Sequence, residues 1–106
     1  MPKAKKTTRI NALATLEKLN GPLTFERLIE SIRVTDGYTY ASLGKKLGVS
    51  RAFVCDVAKG RRAIGIDRAA AWADALGYSP AQFVRLAIQA ELDAAKLKFR
   101  VSVEAA

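Results

Sequence analysis

The sequence predicts an all-α fold, a compact bundle of five to six helices, followed by a short β-strand at the C-terminal end. Three observations lead to this prediction. Apolar residues recur at spacings of three and four through most of the chain, which is the period of an amphipathic helix. Turn signals rich in Gly, Pro and Asn separate these segments. Only the C-terminal segment changes to strict alternation of polar and apolar residues.

The N-terminal third is expected to hold a basic arm and two helices. Residues 1–7 carry no apolar stripe and are expected to be disordered. An apolar stripe runs through residues 10–19, and the Asn-Gly-Pro sequence at 20–22 ends that first helix. Thr24 is a suitable N-cap for a second helix that ends near Asp36.

Residues 40–59 meet the joint requirements of two helices that cross steeply and are connected by a tight turn. The first helix needs apolar residues toward the core and a very small residue at the crossing point. The turn needs a residue that tolerates positive φ and then a buried apolar residue, and the second helix needs two apolar anchors. Seven positions meet these needs: Leu43, Gly44, Leu47, Gly48, Val49, Val54 and Val57. A helix-turn-helix is therefore predicted, with Thr39 and Ser50 as helix caps.

Two longer helices are predicted after this motif. One runs from about residue 66 to residue 76 and ends at Gly77. The Ser-Pro pair at 79–80 begins the other, because Pro is favoured at the first helical position. The helical domain is expected to cover residues 8–94. Three aromatic residues are expected to fill its core: Trp72, Tyr78 and Phe83.

The tail at residues 95–106 is different in kind. Its alternation over residues 96–103 is typical of a half-buried strand, which needs a neighbouring strand for its backbone hydrogen bonds. The same strand of a second copy, pairing antiparallel across a two-fold axis, is the expected partner. A frayed basic tail is the alternative. The residues expected to form this dimer contact are Leu97, Phe99, Val101 and Val103.

The charge predicts a polyanionic partner, either nucleic acid or an anionic membrane surface. The chain carries 18 Lys and Arg against 10 Asp and Glu, a formal net charge of +8. Residues 45–62 hold six basic residues and one acidic residue, so one basic cluster coincides with the predicted motif. A solvated helix face is the alternative interpretation of such a cluster.

Other classes of protein are not expected. No apolar run approaches the roughly 20 residues of a membrane span, and no apolar segment follows the basic start as in a secretory signal. The lone cysteine, Cys55, excludes an intramolecular disulfide and fits a reducing cytoplasm. Histidine is absent, and with it the commonest general base and metal ligand. We therefore expect no enzyme, cofactor, metal or small-molecule ligand.

Three stretches resemble the lambda-repressor-like, Cro-type helix-turn-helix family, also called the XRE family. They are LGKKLGVSRAFV at 43–54, KGRR at 59–62 and AWADALGYSPAQF at 71–83. The resemblance covers about residues 25–87. It implies a bundle of about five helices whose third, here residues 51–58, lies in the DNA major groove.

Three positions depart from the family pattern. Tyr40 stands where Gln commonly contacts phosphate, and Ala58 stands where Glu is common. Phe53 is large for a position often held by a small polar residue. Its ring is expected either to stack on DNA or to pack on a neighbouring helix.

The resemblance implies base contacts from the outward face of residues 51–58. With its two valines toward the core, this helix presents Arg51, Ala52 and Asp56 on the opposite side. Arg51 is expected to bind guanine, Asp56 to accept from cytosine N4, and Ala52 to touch a thymine methyl. A salt bridge from Asp56 to Lys59 or Arg51 is the alternative.

Phosphate contacts are expected from helix N-termini and from the basic loop after the recognition helix. The expected residues are Thr39, Tyr40, Ser50, Lys59, Arg61 and Arg62.

Three functions fit these features. The leading one is a cytoplasmic transcription regulator of bacterial or phage type, a repressor that binds double-stranded DNA as a homodimer. Its two recognition helices would enter major grooves about 34 Å apart. One alternative is the antitoxin of a type II toxin–antitoxin pair, which would bind a toxin through its first helix or its tail. A weaker alternative is a nonspecific nucleoid or RNA binder.

Overall fold

A computed structural model describes residues 23–104 and 106. Within them the chain forms five α-helices and no strand. The helices are α1 (Phe25–Thr35), α2 (Tyr40–Leu47), α3 (Arg51–Ala58), α4 (Ile66–Leu76) and α5 (Pro80–Ala94). This confirms the predicted helical bundle for the described residues, whereas the basic arm and the helix expected at 10–19 lie outside them. No helix in the described part has the length and apolar character needed to cross a membrane.

Local side chains start and end the helices as the sequence predicts. Thr24 Oγ1 accepts a hydrogen bond from the Arg27 amide at 3.3 Å, and this caps α1. Left-handed glycines end two helices: Gly48 after α2 has a φ of 75°, and Gly77 after α4 has a φ of 80°. Pro80 is the first residue of α5, although the preceding serine makes no side-chain capping bond. The boundaries of these helices therefore follow from a few residues each.

An aromatic cluster joins the helices behind the helix-turn-helix. Phe83 is fully buried, and the Phe25 ring meets it edge-on with the ring centroids 5.8 Å apart. Trp72 and Tyr78 are also buried, as predicted. The Tyr78 hydroxyl donates to Asp36 at 3.2 Å, which satisfies the polar end of an otherwise buried ring. Since α4 packs on α5 and α1 contacts both α3 and α5, this core fixes where α2 and α3 stand.

The predicted C-terminal strand is not formed, and this corrects the sequence interpretation. After α5, Lys96 adopts a φ of 61°, and residues 97–104 have no regular secondary structure. Among residues 23–104 there is no strand edge with which the tail can form a ladder. Instead, the Gln89 side chain bonds the backbone of the tail at Phe99 and Val101. Phe99 is 64% exposed, so in the single chain its side chain is largely uncovered.

Candidate nucleic-acid interface

Helices α2 and α3 touch where the sequence places its smallest residue. A Cβ atom added to Gly44 would lie 2.7 Å from the Val49 carbonyl oxygen and 3.1 Å from that of Ser50. The Val49 amide donates to the Gly44 carbonyl at 2.9 Å, which closes the turn. Val54 and Val57 are fully buried and fix the orientation of α3 about its axis. The shape of the motif therefore depends on backbone contact at Gly44 and on two buried valines.

The first turn of α3 presents a free cation to solvent. Ser50 Oγ accepts a hydrogen bond from the Phe53 amide at 3.0 Å and caps the helix. Arg51 and Ala52 follow and are both exposed. Within residues 23–104, Arg51 makes no ion pair and no side-chain hydrogen bond. A guanidinium that is exposed at a helix start and not held by any residue that the structure describes is available to a ligand.

The third predicted base contact, Asp56, has a partner within the chain. Its Oδ1 atom accepts from Arg61 Nε at 3.0 Å and from Arg61 Nη2 at 2.9 Å. The salt bridge expected as the alternative thus exists, but its partner is Arg61 rather than Lys59 or Arg51. Hydrogen bonding to Asp56 raises the pKa of Arg61, which stays charged. Both bonds end on one carboxylate oxygen, so Oδ2 is left for another donor.

Tyr40 faces an acidic residue of α1. Its hydroxyl donates to Glu30 Oε1 at 3.1 Å. Glu30 also accepts two hydrogen bonds from Arg33, at 2.9 and 2.8 Å, while the Arg33 guanidinium lies 4.4 Å from the centre of the Tyr40 ring. The bonds from Arg33, helped by the Tyr40 hydroxyl and by the positive charge of Lys59, lower the pKa of Glu30. Desolvation and the bond to Glu30 raise the pKa of Tyr40. The Tyr40 hydroxyl was expected to donate to phosphate. In the structure it instead connects α2 to α1 through Glu30.

The cap of α2 is internally satisfied. Thr39 Oγ1 accepts from the Ser42 amide at 3.0 Å, and the Thr39 amide donates to Ser42 Oγ at 2.9 Å. This reciprocal arrangement is a capping box. The remaining first-turn amides at such a helix start carry partial positive charge. Thr39 and Ser50 thus cap α2 and α3 and fix the direction of the two helix N-termini.

The loop after α3 carries exposed cations, and a backbone hydrogen bond holds it to α3. Lys59, Arg61 and Arg62 are exposed. Gly60 has a φ of 75°, and a side chain at this position would collide with the Glu26 carboxylate of α1. The Arg61 amide donates to the Asp56 carbonyl at 2.8 Å. The three cations therefore project from a backbone with a defined course.

One cation near this loop was not predicted from the sequence. Arg68 in the first turn of α4 lies with its guanidinium 4.9 Å from the centre of the Phe53 ring, and that of Arg62 lies 4.2 Å away. The Phe53 ring also meets Trp72 at a centroid distance of 6.0 Å. Phe53 thus packs on a neighbouring helix, one of the two roles expected for it. The sequence signal for this contact is only the aromatic residue in α3. Which cation reaches that ring depends on how α4 packs.

Comparison with known proteins gives one match. A family model described as Helix-turn-helix matches residues 29–83. This range begins in α1 and ends at Phe83 in α5, and it contains α2, α3, the basic loop and α4 completely. No curated protein and no solved structure is significantly similar to the chain.

Proposed function

The chain belongs to the lambda-repressor-like helix-turn-helix family, and from this premise we propose that it is a sequence-specific transcriptional repressor. Family membership supports a DNA-binding regulator. The observation that carries the finer proposal is the free, exposed Arg51 at the start of α3, beside the exposed cations of residues 59–62. A side chain that distinguishes bases thus stands next to side chains that attract any phosphate.

In this proposal α3 lies in the major groove and Arg51 binds O6 and N7 of a guanine with both arms of its guanidinium. Ala52 is the neighbour that touches a thymine methyl. Asp56 keeps Arg61 on Oδ1 and accepts from a cytosine N4 amine with Oδ2, so it can contact a base without losing its partner. Arg61 therefore orients Asp56 as well as adding charge.

Phosphate contacts in this proposal come from the loop and from the start of α4. Lys59 and Arg62 project from the loop, and Arg68 joins them because its guanidinium shares the Phe53 ring with that of Arg62. The N-termini of α2 and α3, oriented by Thr39 and Ser50, supply further amides. Tyr40 differs from the expectation, since it binds Glu30 and serves to position α2.

The repressor acts as a homodimer in this proposal, so that two copies of α3 meet one face of the duplex about 34 Å apart. The apolar residues of the tail are the proposed dimer contact. The antitoxin alternative rests on the same apolar residues of the tail. Leu97 is 46% exposed and Phe99 is 64% exposed, and a bound toxin would bury them as well as a second copy would. Sedimentation of the wild type and of a chain truncated before Leu97 tests the dimer contact: self-association that truncation abolishes supports it, and a monomeric wild type favours a different partner for the tail.

The test of base recognition compares two single substitutions on DNA sites that the wild type selects from random duplexes. Arg51→Ala should reduce the preference for the selected site over scrambled DNA by about 5- to 150-fold, which corresponds to the usual discrimination of one bidentate contact. Lys59→Ala should weaken binding to both DNAs alike and lower the salt slope by about one unit. Fluorescence anisotropy at several salt concentrations measures both effects.

Lys96→Ala serves as the matched control, because Lys96 is exposed and lies in the tail, away from α3. It should change neither the preference nor the salt slope. An Arg51→Ala variant that kept the full preference of the wild type would contradict the assignment of α3 as the helix that contacts bases.

A further inference from the structure

A groove runs between the start of α1, the loop after α3 and the second half of α5. It encloses a cavity of about 260 Å³, and most of the residues along it are apolar. Phe25, Val57 and Leu86 line it and are buried. Ala63 and Ala94 also line it and are exposed, so they form its rim. Voids within well-packed cores seldom exceed one water molecule, so an apolar groove of this size offers space for further side chains.

The N-terminal part of the chain is attached at this groove, because Leu23 is one of the residues that line it. Leu19, the last residue of the apolar stripe at 10–19, stands four positions before Leu23. The Cα atoms of these two residues therefore lie within about 14 Å of each other, even if the chain between them is fully extended. So short a connection gives residues 10–19 a local concentration at the groove on the order of millimolar. A separate molecule in dilute solution has no such advantage.

The sequence of residues 10–19 has the pattern of a helix that needs a surface to pack on. At 3.6 residues per turn, Leu13, Leu16 and Leu19 fall within an arc of about 120°. The polar side of the same helix would hold Asn11, Thr15 and Lys18. A helix of ten residues is marginal in water on its own, and most of its stability comes from packing its apolar side on a partner. The groove beside Leu23 offers such a partner surface.

The charge of the groove suits the same segment. Two carboxylates, those of Glu26 and Asp93, line the groove together with one guanidinium, that of Arg62. Within residues 23–104 neither carboxylate forms an ion pair. Residues 1–22 carry five basic residues and one acidic residue. The N-terminal part of the chain therefore brings positive charge to a groove whose own net charge is negative.

We propose that residues 10–19 form a helix that packs into this groove, with Leu16 at the centre of its buried side. The connection to Leu23, the leucine arc and the charge of the groove each favour this occupant over a second copy or a separate ligand. Because Gly60 and Arg62 line the groove, the docked helix also supports the basic loop after α3. The inference does not depend on DNA binding, and its tests contain no DNA.

Nuclear Overhauser effects in the full-length wild type test the packing directly. The methyl groups of Leu16 should give cross-peaks to those of Ile64 and Ala90, which line the groove. Cross-peaks between the rings of Phe25 and Phe83, whose centroids lie 5.8 Å apart, are the internal control. Absence of the Leu16 cross-peaks while the control is present overturns the proposal. Cross-peaks that arise only between chains, in a mixture of labelled and unlabelled protein, would place the segment on a second copy and overturn it as well.

Thiol reactivity tests which side of the segment is buried, and where. In a full-length Cys55→Ser background, Leu16→Cys should react with a maleimide at least about tenfold more slowly than Thr15→Cys, its matched control on the polar side, because a buried thiol reacts only after local opening. Adding Ala90→Trp, which fills the groove, should remove most of this difference, whereas Ala75→Trp on an exposed position of α4 should not. Equal reactivity of the two cysteines, or protection that survives Ala90→Trp, overturns the proposal. Circular dichroism checks the fold of each variant, and the wild-type cross-peaks decide the question if Ala90→Trp does not fold.

Discussion

The helix-turn-helix and the C-terminal tail satisfy their backbones in different ways. In α2 and α3 the backbone groups find hydrogen-bond partners close in sequence. These are the caps at Thr39 and Ser50 and the bond between Gly44 and Val49. The tail is held by the Gln89 side chain, which bonds the backbone at Phe99 and Val101 from a different element. The motif therefore has one conformation that its own residues determine, whereas the tail takes the conformation that its neighbours allow.

The largest effect should follow from a methyl group at the crossing point of α2 and α3. Gly44→Ala places a Cβ atom 2.7 Å from the Val49 carbonyl oxygen, and backbone cannot move aside as a side chain can. We expect the free energy of unfolding to fall by about 2–3 kcal/mol, the usual cost of overpacking a rigid site. Urea unfolding at pH 7 measures it.

Gly48→Ala is the control, because a Cβ atom there meets nothing within 4 Å. Its only cost is the φ of 75°, which residues other than glycine rarely adopt. Its cost should be about 1 kcal/mol. Equal losses in the two variants would mean that close contact at Gly44 does not determine the motif.

An intermediate effect is expected at the brace between α1 and α2. Glu30 has a lowered pKa in the folded chain because of its bonds with Arg33 and Tyr40, so its carboxylate stabilises the fold above the unfolded pKa. This stabilisation disappears as the pH falls through the lowered folded pKa. Glu30→Gln should therefore be less stable than the wild type at pH 7, by less than about 1 kcal/mol because the pair is partly exposed, and the difference should be smaller at pH 4, below the ordinary carboxyl pKa of 4.5. Urea unfolding at the two pH values provides the measurement.

Tyr40→Phe is the companion variant, since it removes one hydrogen bond and keeps the Glu30–Arg33 ion pair. Its loss in the free energy of unfolding should depend less on pH than that of Glu30→Gln. Its DNA binding should keep the salt slope of the wild type, and a clear reduction of that slope would show that the hydroxyl contacts phosphate after all.

The smallest effect is expected in the tail. Gln89→Ala should leave the free energy of unfolding within about 0.5 kcal/mol, because the tail contributes little to the core. Exchange of the Val101 amide hydrogen should nevertheless accelerate about tenfold, since its acceptor is lost. Hydrogen exchange followed by NMR measures this, with Gln82→Ala, also on α5, as the control. Unchanged exchange at Val101 would contradict the role given to Gln89.

The sequence predicted those parts of the fold that depend on neighbouring residues. The caps at Thr39 and Ser50, the left-handed Gly48 and the buried Val54 and Val57 all follow from short-range requirements. Such features can be inferred because each needs only a residue type at a fixed spacing.

Contacts between distant side chains could not be predicted in this way. The partners of Tyr40 and Asp56 are Glu30 and Arg61, and these pairs form because long side chains meet in three dimensions. Arg68 reaches Phe53 only because α4 packs beside α3. Alternation in the tail shows which side chains share a face, but a strand also needs a neighbouring backbone, which a sequence pattern does not supply.

The ion pair between Asp56 and Arg61 bears on how fast the protein finds its site. Attraction to random duplex grows with the number of phosphates that free cations neutralise, and it sets how long a protein stays at each wrong position. A cation that is already held by a carboxylate contributes less to this attraction. In the proposed complex, Oδ2 of that carboxylate accepts a hydrogen bond from a base at the correct site. In that proposal the pair shortens visits to wrong sites and keeps a base contact at the right one, so it favours a fast search over strong nonspecific binding.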